Sequence, residues 1–113
     1  NSEWTNFYSA MAYPGSQLYP IAQKNKWTLP DDVDGPGWIG YSQHAYETLP
    51  LRTHHLKASE VLSFRDKAFD IFFNNNDYLS MIKNKFGKDT EQHILKMTKF
   101  KLKRKHQFEE VNY

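Results

Sequence analysis

The sequence contains no cysteine. That absence excludes a disulfide framework, a thiolate zinc site, a cysteine nucleophile and iron–sulfur ligation by this chain's own residues. Aliphatic side chains are scarce: the 17 Leu, Ile and Val are outnumbered by 18 Phe, Tyr and Trp. The core therefore has to be built largely from rings, which bury much area per residue. No apolar run approaches the ~20 residues of a membrane helix, and the first residues lack the basic and apolar regions of a secretory signal. These features together predict a soluble, cytoplasmic protein. Net charge is also small, at +2, too little for a strong phosphate-backbone binder. None of the five histidines stands four residues from another, so no helical zinc pair is present and no metal site is expected. Nor does any Ser–His–Asp order, Gly-rich phosphate loop or carboxylate pair define a catalytic centre.

What remains is one domain's worth of chain, or a piece of a larger one, in 113 residues. Charge is divided unevenly, with residues 1–56 carrying a net −2 and residues 57–113 a net +4. All five Pro and four of the five Gly precede residue 51. The first half should be loop-rich and the second half helical.

The run from Trp4 to Tyr13 mixes rings with small residues and stops at Pro14-Gly15, which reads as a strand ending in a turn. No second strand is evident, and a lone strand leaves its backbone groups without partners. The chain thus reads as cut from a longer one, monomeric or associating through that orphan strand. A short helix follows to about Lys26, starting at Ser16 or, because of Pro20, later. Residues 27–57 lack any period and form a long irregular loop, rich in rings after Trp38, which should be ordered. Three helices are expected next, from Ala58 to Asn74, from Asp77 to Phe86 and from Asp89 to about Lys105. The tail 107–113 should fray. The expected fold class is α+β, mostly α: an orphan strand and helix over 1–26, a loop over 27–57 and a three-helix cluster over 58–106.

Asp32-x-Asp34-Gly35 imitates the middle of a calcium loop, but Pro30 and Tyr41 fall where its first and last acidic ligands belong. It reads as a solvated acidic turn. Lys96, Lys99, Lys101, Lys103, Arg104 and Lys105 would line the exposed side of the last helix. That gives the alternative function, a small helical module binding nucleic acid or a protein through a basic face. Arg65 falls in the middle of the apolar face of its helix, between Val61, Phe69 and Phe72. A guanidinium keeps its charge, so burial demands acceptors, and Glu47 is the expected ion-pair partner.

Several motifs resemble one family. They are Tyr13-Pro14-Gly15-Ser16-x-Leu18-Tyr19, Trp38-x-Gly40-Tyr41-Ser42-Gln43-His44-x-Tyr46-Glu47-Thr48 and Phe64-Arg65-Asp66-x-Ala68-Phe69. Tyr78-Leu79-x-Met81-Ile82-x-x-Lys85-Phe86-Gly87 and Met97-Thr98-Lys99-x-Lys101-Leu102-Lys103-Arg104-Lys105 complete the set. Together they resemble the C-terminal region of radical S-adenosylmethionine (radical SAM) proteins with a cobalamin-binding domain. These are relatives of the anaerobic magnesium-protoporphyrin IX monomethyl ester cyclase. The resemblance covers about residues 1–105.

It implies a bacterial enzyme that cleaves S-adenosylmethionine reductively, with a four-iron (4Fe-4S) cluster and cobalamin, for methyl transfer or oxidative cyclisation. The cluster ligands of that family form a Cys-x-x-x-Cys-x-x-Cys motif, which this chain lacks. The chain would accordingly be a C-terminal part, starting at the last barrel strand, inactive and cofactor-free alone. Its partner would be the remainder of the parent chain, whose active-site end it would close. In that setting Met11 and Tyr13 would sit at the rim of the S-adenosylmethionine pocket. Tyr41, Gln43 and His44 would face the substrate.

Overall fold

A computed structural model of the chain describes residues 2–107. Four α-helices follow one another: α1 (Leu18–Lys24), α2 (Ala58–Phe73), α3 (Asn76–Phe86) and α4 (Lys88–Lys99). Single 3₁₀ turns lie at Trp38–Tyr41 and Lys105–Gln107. Among the described residues there is no strand. The expected α+β class with an orphan barrel strand is therefore corrected to an all-helical one, and association through such a strand goes with it. The tail expected to fray over 107–113 lies, after Gln107, outside the described residues.

The reason is visible in how residues 5–13 satisfy their backbone. The Ser9 N–H donates to the Gln43 side-chain oxygen at 2.8 Å, and the Ser9 carbonyl accepts from the Gln43 amide nitrogen at 3.0 Å. One residue further on, the Ala10 carbonyl accepts from the Leu51 N–H at 3.0 Å. A side-chain carboxamide thus stands where a strand neighbour would pair. Isolated bonds of this kind meet the demand for partners without building a ladder.

The described chain divides into two compact units, and the division falls inside α2, after Arg65. One unit combines the residues up to Phe7 with Asp66–Lys101. Its core is Phe73, Tyr78, Ile82 and Ile94, with Phe7, Phe69, Phe72, Leu79, Met81 and Met97 packed around them. This is the ring-built core that the composition demands. Phe72 and Tyr78 sit 4.7 Å apart, and Phe73 lies 4.8 Å from Trp4. The Asn75 side chain caps α3 by accepting from the Tyr78 N–H at 3.0 Å. A single Gly87, at φ 94°, ends α3 and starts α4, in the left-handed region that a side chain adopts only at a cost.

The other unit combines Tyr8–Arg65 with residues 102–107. Ala12, Ala22 and Leu29 form its buried centre, with Tyr19, Trp27 and Leu51 against them. Residues 29–41 wind into a tight knot in which the Gly37 N–H donates to the Pro30 carbonyl at 2.7 Å.

Two helix expectations change. The helix expected to reach Lys105 stops at Lys99, where Phe100 is extended at φ −80°, ψ 108°. Only Lys96 and Lys99 of the basic run lie on α4, and Arg104 is buried, so the continuous basic face does not form. On α2 the apolar face is interrupted as well, because Phe64 and Ile71 stand exposed.

Candidate functional site

The loop 38–48 belongs to the second unit and is held by side chains from several distant segments of that unit. Trp38 to Tyr41 make one 3₁₀ turn after Gly37, which buries Tyr41 and leaves the Trp38 ring 70 % exposed. The Tyr41 hydroxyl donates to one carboxylate oxygen of Asp31. The Tyr19 hydroxyl donates to the other at 2.7 Å. Tyr13, 44 % exposed, stacks at 5.3 Å from the Tyr41 ring, and Trp38 approaches the same ring at 5.7 Å. Two open rings thus flank a buried phenol whose proton is committed to a carboxylate. Such a surface suits a flat or cationic group, through stacking and the negative faces of the rings.

The electrostatics follow from these bonds. Hydrogen bonds from Tyr41 and then Tyr19 hold the Asp31 carboxyl below the usual carboxylate range. Burial, reinforced by the hydrogen bond to Asp31, pushes the Tyr41 phenol far above its usual range. The two shifts bound a pH window. Asp31 is stabilising once ionised, and its contribution is lost as pH falls through its lowered folded value. Tyr41 is stabilising while protonated, and its contribution fades as pH climbs from about 10, the ordinary phenol value, toward the folded one. The Asp31–Tyr41 pair should therefore contribute a constant amount of stability between these limits. Tyr41→Phe should cost about 1–2 kcal/mol at neutral pH and flatten the alkaline limb. Denaturant melts across pH check both, and a loss at neutral pH matched by an unchanged alkaline limb would count against Tyr41 as its source.

The remaining sequence-predicted residues are spread around this loop rather than gathered at one point. Met11 is buried. Gln43 is half-buried and spends its carboxamide on Ser9. His44 is exposed, with Nε2 at 3.2 Å from Arg65 Nη2 and its ring 6.3 Å from that of Tyr8. Arg65 is buried, as its place on the helix implied. The contact found there is with His44, where charge alone pointed to Glu47, which is half-buried. An imidazole serves because a neutral Nε2 accepts a guanidinium proton as a carboxylate oxygen does. Proximity therefore joins Tyr13 with Tyr41 and His44 with Arg65. No group of three His, Asp or Glu able to hold a metal occurs among the described residues.

Two participants were not singled out from the sequence. Asp31 stands just before the acidic turn Asp32-x-Asp34-Gly35 and belongs to no motif of its own. Arg104 was read as part of the lysine run, although it is the one arginine in it. That difference was the available signal, because a planar guanidinium suits multiple carbonyl acceptors better than an ammonium does. Arg104 is 3 % exposed, and its Nη1 donates to the Gln43 carbonyl at 2.9 Å and the Ala45 carbonyl at 3.1 Å.

No helix among the described residues is long and apolar enough to cross a membrane. Comparison with protein-family models, curated proteins and solved structures finds no match to this chain.

Proposed function

We propose that the chain is the C-terminal region of a cytoplasmic, cobalamin-dependent radical SAM enzyme and covers the active-site end of its catalytic barrel. What supports the reading is the convergence of four of the resembling motifs on one loop. Tyr13 of the first stacks on Tyr41 of the second. Arg65 of the third touches His44, and Arg104 of the last binds the carbonyls at 43 and 45. Residues that are far apart in the sequence thus serve one surface, which carries the exposed rings of Trp38 and Tyr13. Exposed rings in a cluster mark a face that another surface covers.

This chain has no cysteine, so its own residues do not fit a four-iron cluster. The cluster, and the radical chemistry it supports, would belong to the rest of the parent. The contribution of this region would be to bind, shape and exclude water. The coding sequence upstream of Asn1 should encode a Cys-x-x-x-Cys-x-x-Cys motif. The whole product, reconstituted anaerobically, should convert S-adenosylmethionine to deoxyadenosine. In it Trp38→Ala should cut turnover roughly tenfold while moving the melting temperature little, since an exposed ring adds little to stability. A parent without the cysteine motif, or an unaffected turnover, would overturn the proposal.

A further inference from the structure

Arg104 stands in an environment that a lysine run does not explain. Its guanidinium is almost wholly buried, and one nitrogen, Nη1, meets three acceptors from one short loop. These are the carbonyls of Gln43 and Ala45 and the hydroxyl oxygen of Thr48, at 2.9, 3.1 and 3.1 Å. The loop is shaped around that point. The Thr48 hydroxyl also lies 2.7 Å from the Ala45 carbonyl, and the Leu49 N–H donates to the Gly40 carbonyl at 2.9 Å. The backbone beside Arg104 joins in, since the Lys105 N–H donates to the Tyr46 carbonyl at 2.8 Å. Carbonyl dipoles turned toward one point repel each other unless a cation sits among them, and bonds to a charged donor are the strong ones. Gln43 carries the effect further, because the residue whose carbonyl receives Arg104 clamps Ser9 with its side chain.

We propose that the loop 42–48 is a guanidinium-binding loop occupied in cis by Arg104. The segment from Leu102 to Gln107 then works as a latch, and its seat takes a free guanidinium once the Arg104 side chain is gone. The test uses the whole chain and hydrogen exchange read amide by amide. Arg104→Ala should speed exchange at Ser9, Thr48 and Leu49 by about tenfold or more, with α3 amides as the control. Millimolar methylguanidinium should return these rates toward the unsubstituted values, and methylammonium at the same concentration should not. Unchanged exchange in the variant overturns the proposal, as does a rise that methylguanidinium leaves in place or that methylammonium reverses equally. If the variant also loses α3 protection, rescue decides alone: refolding by methylguanidinium supports the latch and its failure overturns it.

Discussion

Phe73→Ala should destabilise the unit formed by α3, α4 and the end of α2 by about 3–5 kcal/mol. Phe73 is fully buried and is the ring that others share. It lies 4.7 Å from Phe69, 4.8 Å from Trp4, 4.9 Å from Phe72 and 5.6 Å from Tyr78. Truncation removes the transfer energy of the ring and leaves a cavity that neighbours of this stiffness cannot collapse into. The loss should be large relative to the whole, since small domains hold only a modest margin. A denaturant melt gives the magnitude. The Trp4 indole resonance should report local disorder first, because its ring packs on Phe73. Phe64→Ala is the matched control: that ring is 75 % exposed, and its removal should cost within about 0.5 kcal/mol. Equal losses in the two variants would deny that this core carries the unit.

Gly35→Ala should be nearly as costly, by a different mechanism. A Cβ at Gly35 would lie 2.7 Å from the Leu29 carbonyl oxygen and closer still to the Pro30 carbonyl oxygen. Both are backbone atoms, so no side chain can swing aside to make room. The Gly35 N–H bonds back to the Asp32 carbonyl at 2.9 Å and the Gly37 N–H to Pro30 at 2.7 Å, which leaves the knot little freedom to open. About 3 kcal/mol should be lost. Asp31 should be displaced with its neighbour Pro30, so the Tyr41 phenol should titrate nearer its ordinary range. Gly15→Ala is the comparison: it has open space around it but a φ of 89°, and should cost only about 1 kcal/mol. A Gly35 variant no less stable than the Gly15 one would show that the knot yields, and would remove the claim that it holds Asp31 in place.

Local physics made several features readable in advance. Ring-rich composition required an aromatic core, and the period after residue 58 placed α2 and α3 nearly where they lie, while it carried α4 about six residues too far. The run Asn74-Asn75-Asn76 and Gly87 mark the bounds of α3 because capping and left-handed φ depend on the residue itself. The angle of Arg65 on its helix allowed a buried guanidinium or a stem laid over Phe69 with its head wet, and the side chain is buried. These signals act within a few residues, so they survive without knowledge of the rest of the chain.

Other features were decided only by distant partners. Residues 5–13 have the rings and the closing Pro-Gly of a strand, yet what pairs with Ser9 is the side chain of Gln43, 34 positions away. Composition of that kind does not report whether a neighbouring backbone is present. The helical pattern of residues 96–105 is likewise sound locally, but Arg104 and Lys105 are bonded to the 43–48 loop and helix formation stops at Lys99. Several bonds to one loop outweigh the single bond per residue that continued helix would add. His44 comes within 3.2 Å of Arg65 for the same reason: charge suggests a partner, whereas loop geometry decides which side chains come within reach. The sequence by itself determined the existence of the helices, the bounds of α3 and the aromatic character of the core, because those rest on short-range sterics and composition. Tertiary structure alone decided the extended segment, the Asp31–Tyr41 bond and the burial of Arg104, because each depends on an acceptor brought near by folding.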